Sequence, residues 1–297
     1  MNQVIAMEFK PGSREELLPD FDPAFPCITS RYLFPEGDAA PWHWHGAMEL
    51  FYIESGGLEY VTPSGHCTFH TGSGGLLMPN IPHTTRGIRV TPGDTQLLHL
   101  FDPILISGQP GSRIEREYVL PLMAETELIS LDPREEAHRP ILELLRDSFQ
   151  ISPTEPGYEI LLRESLSRIL LLLFRLPRSP REQQPARTSE LIRQVMIYVH
   201  GHYGEKLTVA DLARAACVSE RVCYNLFQKH MSMTPMEYVT GCRIRVACRM
   251  LAQSEDSVTA IASACGFSSG SHFSQIFHQV TGMTPREYRK SARLTGE

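Results

Sequence analysis

The sequence predicts a two-domain protein: an all-β N-terminal barrel with helices after it, then an all-α C-terminal unit holding two helix-turn-helix patterns. Three observations lead there. Residues 28–102 break into short apolar runs separated by Gly/Pro turns, the spacing of an antiparallel barrel or jelly roll. From residue 188 onward apolar residues recur at helical spacing. The last third also repeats itself: Ser219, Phe227, Met233, Thr234, Pro235, Glu237 and Tyr238 return fifty positions later as Ser269, Phe277, Met283, Thr284, Pro285, Glu287 and Tyr288. Ahead of that block, Leu212-Ala213 matches Ile261-Ala262 and Val218 matches Phe267 at an offset of forty-nine, so the second copy has one extra turn residue. Two copies are too few for a solenoid and read as two like modules in one polypeptide.

A chain of 297 residues can hold two cores, and 42% apolar with 21% charged residues excludes an intrinsically disordered protein. Seven cysteines, an odd number without a C-x-x-C, fit a reducing compartment better than a disulfide framework. The segment Met1–Asp20 lacks the apolar core of a leader peptide. The run Ile169–Phe174 lies between Arg168 and Arg175, far short of the ~20 residues of a membrane span. A cytoplasmic protein without a membrane partner is the expectation. Charge is divided: residues 190–297 carry net +3, the remainder −9. The basic third tolerates phosphate contact and the acidic part argues against touching DNA.

Taken in order, residues 1–26 read as an irregular arm. The strands expected next are ITSRYLF, MELFYIES, LEYVT, CTFHT, GLLMP and QLLHLF. Gly37, His43, His45, Glu49 and Gly56 stand at G-x5-H-x-H-x3-E-x6-G. This spacing resembles the first cupin motif at every specified position. The second is met only approximately, by Leu77–His83, which keeps Pro and His but lacks the internal Gly and is one residue shorter. On a regular strand His43, His45 and Glu49 share one face, and His83 closes the set from a neighbouring strand. Such a set suits a divalent ion such as Zn, Fe, Mn or Ni, and equally suits the polar lining of a small-molecule pocket. Fold resemblance alone does not decide between them, and no metal is assigned. Trp42, Trp44 and Tyr52 are stacking candidates or core, and His99 reads as an ordinary hydrogen-bonded histidine.

A helix is expected within 133–150, with Ile141, Leu144, Leu145 and Phe149 inward. Glu135 and Glu136 then fall in its first turn, unless Pro140 marks the true start. A second runs from Tyr158 to Leu176, where Leu162, Leu166, Ile169, Leu173 and Leu176 form a heptad-like seam. That seam packs either on the chain's own barrel or on a second subunit; the extra Leu170, Leu171 and Leu172 favour a homodimer. The predicted divisions are a β-domain at 1–132, a dimerisation segment at 133–177, a Pro/Arg-rich linker at 178–187 and a helical domain at 188–297.

In the helical domain Thr208 begins VADLARAA with Asp211 three residues on, close to a capping box. Cys217 stands in a turn where Gly is usual. Gly266 takes the same turn in the second copy, followed by Ser268, Ser269 and Ser271 as candidate caps. The last recognition-type helix buries Phe273, Ile276, Phe277 and Val280 and presents Gly270, Ser271, His272, Ser274 and Gln275. A polar face of short side chains on an anchored helix is what the DNA major groove admits. Ile261-Ala262, Gly266-Phe267, Phe273, Phe277, Gly282, Thr284-Pro285 and Tyr288-Arg289 together resemble the DNA-binding domain of the AraC/XylS regulators, over roughly residues 188–294.

That resemblance implies a first recognition helix from Glu220 to Met231, presenting Arg221, Val222, Tyr224, Asn225 and Lys229. Arg243, Arg245 and Arg249 lie on the joining helix, and Arg286, Arg289 and Lys290 are phosphate candidates. It also implies a transcription regulator, most often an activator, with a double-stranded DNA operator, a small-molecule effector such as a sugar in the barrel, and RNA polymerase as partners. The alternative is a metal-dependent cupin enzyme or metal sensor joined to the DNA-binding domain.

Overall fold

The structure, a computed structural model, describes residues 7–9, 14–18, 21–22, 24–33, 40–88, 91–109, 111–177, 187–231 and 233–294. Gly37 of the cupin-like motif and the expected linker up to residue 186 lie outside them. The chain forms two compact units that divide near residue 190.

The first unit opens with a ribbon of two short strands, β1 (Glu8–Phe9) and β2 (Glu16–Leu17). Eight strands follow: β3 (Cys27–Leu33), β4 (Met48–Ile53), β5 (Gly57–Thr62), β6 (Gly65–His70), β7 (Gly74–Leu77), β8 (Thr84–Gly87), β9 (Thr95–Phe101) and β10 (Leu128–Leu131). They form a five-stranded antiparallel sheet, β10-β7-β4-β9-β3, and a three-stranded one, β6-β5-β8. Between β9 and β10 lie α1 (Ile104–Ser107) and a π-helical turn, Glu115–Val119, that runs into α2 (Leu120–Glu125). Two longer helices close the unit, α3 (Arg139–Ser148) and α4 (Tyr158–Arg175).

Alternation along β4 explains the layering. Met48 and Leu50 point into the core shared with α3 and α4, whereas Phe51 and Ile53 meet Leu58, Tyr60 and Phe69 of the second sheet. Phe51 stacks on Tyr60 at 4.3 Å between ring centroids and meets Phe69 edge-on at 4.8 Å. His99 of β9 sits wholly buried against the helices. Its Nδ1 is 2.8 Å from Thr29 Oγ1, its Nε2 2.8 Å from Ser148 Oγ, and its ring lies flat on Phe149.

Several expectations change here. The histidine segment is not a strand: His43 makes only an isolated bridge to His83, and the chain bends at 46–47 before β4 begins at Met48. Glu135 and Glu136 precede α3, which starts at Arg139 with Pro140 in its first turn. Leu162, Leu166, Ile169, Leu170 and Leu173 are buried in the unit's own core, so that seam is not free for a second subunit. The strands β1, β2, β8 and β10 and the helices α1 and α2 were not anticipated. They are too short, or too polar, to show a period.

The second unit begins with α5 (Arg187–His202) and then runs through two three-helix modules. The first has α6 (Val209–Ala215), α7 (Glu220–Met231) and α8 (Pro235–Gln253); the second has α9 (Val258–Ala264), α10 (Gly270–Thr281) and α11 (Pro285–Leu294). Local chemistry sets each boundary. Capping boxes start α6 (Thr208 with Asp211) and α8 (Thr234 with Glu237), while Ser257 and Ser269 cap α9 and α10. The fifty-residue repeat is also a packing repeat: Phe227 meets Tyr238 at 5.6 Å and Phe277 meets Tyr288 at 5.5 Å. Arg243 is structural, since its Nε donates to the Tyr203 carbonyl at 2.8 Å and its guanidinium lies over Phe267.

Two turn residues share one backbone conformation, which is strained at the first and natural to the second. Cys217 holds φ 52° and Gly266 φ 77°, both left-handed. A Cβ on Gly266 would stand 2.6 Å from the Tyr203 carbonyl oxygen. Cys217→Gly is expected to stabilise the second unit by roughly 1 kcal/mol, and Gly266→Ala to destabilise it by more than that; urea denaturation checks both. Burial pushes His99 down to about 3, so the fold prefers its neutral form. Its contribution is full above about pH 6.5, the unfolded value, and is lost progressively towards pH 3 as the unfolded chain takes up the proton. Melts across that range should show His99→Gln losing less stability on acidification than the wild type.

Candidate effector site and nucleic-acid interface

Two groups of side chains stand out. The first lies in the β-sheet unit, where the crossed segments 43–45 and 81–83 exchange backbone hydrogen bonds (His43 N–H to His83 O at 2.9 Å, and the reverse at 2.8 Å). This crossing, rather than a shared strand face, brings His43, His45 and His83 together. The three are buried, and their nearest ligand atoms lie within 4.8 Å of one another. Each ring is oriented by a carbonyl: Nδ1 of His43, His45 and His83 faces the oxygen of Pro41, Ala47 and Ile81 at 2.8, 3.1 and 2.9 Å. A carbonyl only accepts, so each Nδ1 carries a proton and each Nε2 turns inward.

Glu49, reaching in from β4, answers them. Its Oε2 is 3.0 Å from His45 Nε2 and 3.3 Å from His83 Nε2, while its Oε1 accepts the Tyr60 hydroxyl at 2.6 Å. Gln96 Nε2 donates to that same hydroxyl at 2.5 Å. Burial opposes ionisation of Glu49, but the bonds from His45 and His83 outweigh it and hold the carboxyl well below its usual range. For His45, burial works against the imidazolium and is overcome by Glu49, so its value is raised. His43 has no such compensation, and burial followed by the neighbouring His83 and His45 holds it well down.

Glu16, like Tyr60 and Gln96, escaped the sequence reading. Glu16 of β2 places Oε2 3.7 Å from His43 Nε2, and its carboxyl is raised chiefly by burial. A two-residue strand inside an irregular arm gives no periodic signal. Of the stacking candidates, Trp42 is exposed, Trp44 is core and Tyr52 is half-buried.

The donor set fits a divalent transition ion: three imidazole nitrogens with their far sides fixed by carbonyls, plus carboxylate oxygen.

The second group is on the helical unit. On α7, Arg221, Val222, Tyr224, Asn225 and Lys229 are exposed, while Cys223 and Phe227 are buried anchors. On α10, Ser271, His272 and Gln275 are exposed and Gly270 and Ser274 half-buried, the latter because its hydroxyl donates to the Gly270 carbonyl. Phe273 and Phe277 anchor this helix; Ile276 is half-buried and Val280 is exposed, so its apolar face is narrower than expected. Arg286 and Lys290 are exposed, whereas Arg289 is engaged with the Asp256 carbonyl at 2.5 Å.

Known proteins match this picture. Residues 212–291 match a family model described as a helix-turn-helix domain. An uncharacterized HTH-type transcriptional regulator, YdeC of Bacillus subtilis, is 26% identical over 84% of this chain and 86% of its own. The melibiose operon regulatory protein of Escherichia coli is 26% identical over 84% of this chain and 83% of its own. A solved transcriptional regulator with an AraC-type DNA-binding domain, from Chromobacterium violaceum, is 31% identical over 36% of this chain and 96% of its own, with a TM-score of 0.35.

Proposed function

Because this chain belongs to the AraC/XylS family of helix-turn-helix transcription regulators, we propose that it is an activator that binds an operator through α7 and α10 and answers to an effector in its β-sheet unit. The observation that carries the reading is the duplicated module. Two helices, each anchored by a buried Phe pair or Phe/Cys pair, present polar faces built in the same way. Arg221 and Asn225 have the donors and acceptors for bidentate base contact, and Lys229, Arg286 and Lys290 the charge for phosphate. The relatives are regulators, and the chain is read as a regulator and not as an enzyme.

The effector in this reading is a small metabolite of the sugar class, in keeping with the melibiose operon relative. A homodimer presents such faces to two half-sites, and RNA polymerase is the further partner of an activator. With the α4 seam buried, Ile160 (74% exposed), Leu161 and Leu171 are the apolar residues of that helix left for a second subunit. The protein acts in the cytoplasm, where its operator lies; no described helix is long and apolar enough to cross a membrane.

A second reading, a divalent-cation-responsive regulator, is favoured by one observation: His43, His45 and His83 bring ligand atoms within 4.8 Å of one another, and Glu49 Oε2 lies 3.0 and 3.3 Å from two of them. His43, His45 and His83 would hold the ion through Nε2 and Glu49 through Oε2. The bound ion would supply charge neutralisation for a buried carboxylate, and the residues orient and exclude water.

Selection from a randomised duplex library tests DNA recognition. The wild type is expected to enrich a defined motif, and Asn225→Ala or Gln275→Ala to bind the enriched duplex roughly 5- to 100-fold more weakly, with relaxed preference at separate positions. No enrichment, or variants that bind as well as the wild type, would contradict the assignment of these faces.

A further inference from the structure

Glu16 lies outside the motif that locates the histidines and reaches them from a different part of the chain. We propose that Glu16 completes the cation site as a ligand, so that a bound divalent ion fastens the N-terminal ribbon to the β-sheet unit; this rests on the cation reading of the cluster. Three observations support it.

The first is spacing. Two ligand atoms on one ion, each about 2.1 Å from it, stand roughly 3 to 3.5 Å apart. The carboxylate–imidazole separations in the cluster are 3.0 Å (His45–Glu49), 3.3 Å (His83–Glu49) and 3.7 Å (His43–Glu16). The last is too long for a direct hydrogen bond and close to the span of two donors on one ion.

The second is charge. Glu16 and Glu49 face the same three imidazoles, and Glu49 has one oxygen committed to Tyr60. Glu16 and Glu49 are gathered in one buried cluster, and a dication bound between them would offset the charge that burial opposes.

The third is the ribbon itself. A two-stranded ribbon is marginal on its own, so what it docks against sets its position. Here the Glu16 N–H donates to the Trp44 carbonyl at 2.9 Å, the Trp44 N–H donates to the Arg14 carbonyl at 3.1 Å, and Phe9, paired with Glu16, brings its ring 6.4 Å from that of His43. The ribbon therefore runs along the very segment that carries two of the ligands, and its Glu16 carboxylate is the group that links it to their ion.

The test is a Co2+ titration of the chelator-treated full-length protein, followed by calorimetry and visible absorption, with amide hydrogen exchange read at Glu16 and Trp44. The wild type is expected to bind one Co2+ and to slow exchange at both amides. Glu16→Gln, which keeps the shape and removes the charge, should bind Co2+ at least tenfold more weakly, shift the visible band and lose the slowed exchange. Glu16→Asp, which restores the charge on a shorter arm, should recover part of each. Equal affinity, an unchanged band and equally slowed exchange in Glu16→Gln would overturn the role of Glu16 while leaving the cation reading intact. A wild type that binds neither Co2+ nor Zn2+ would overturn both.

Discussion

A carboxylate buried in the middle of a sheet sets the terms for the first unit. Glu49 lies on β4, the central strand of five, and is almost fully withdrawn from water. An ionised carboxylate there is tolerated only if each oxygen is answered. Tyr60 answers one from the second sheet, and His45 and His83 answer the other from the crossed loops. The two sheets are thereby joined by a polar link beside the Phe51–Tyr60–Phe69 aromatic contact, and the same carboxylate holds the histidines of the crossed loops. Stability and site chemistry here share one set of atoms.

Much of this was legible in the residues. The spaced His43, His45, Glu49 and His83 do converge, and β3, β4, β5, β6, β7 and β9 fall where alternation and turns put them. The reason given for the convergence was wrong. Period-two logic applies to a continuous strand, and the chain bends between His45 and Met48, so backbone pairing of His43 with His83 supplies what a shared face did not. Glu16, Tyr60 and Gln96 were not anticipated as members of the site, because tertiary pairing and not local pattern brings them in.

The heptad-like seam of α4 shows the same limit from the other side. Leucines at alternating steps of three and four mark a helix face that must be buried, but the spacing does not say against what. The unit's own strands and α3 take that face. In the helical unit, by contrast, local and tertiary signals agree. Capping residues, the left-handed turn and the anchoring aromatics recur at an offset of forty-nine or fifty, and both copies fold alike because the same short-range chemistry is written twice. Cys217 is the departure: it holds the left-handed turn without being glycine.

The central claim is that α7 and α10 of one chain read DNA together. Two recognition helices of a paired module enter successive major-groove segments about one helical turn, ~34 Å, apart. Hydroxyl-radical footprinting of the purified protein on a duplex it selects measures this directly. The account predicts paired protected segments about 10 base pairs apart for each bound protomer, the two members of a pair weakening separately in α7 and α10 variants. A single protected segment per protomer, or protection indifferent to both helices, would contradict it.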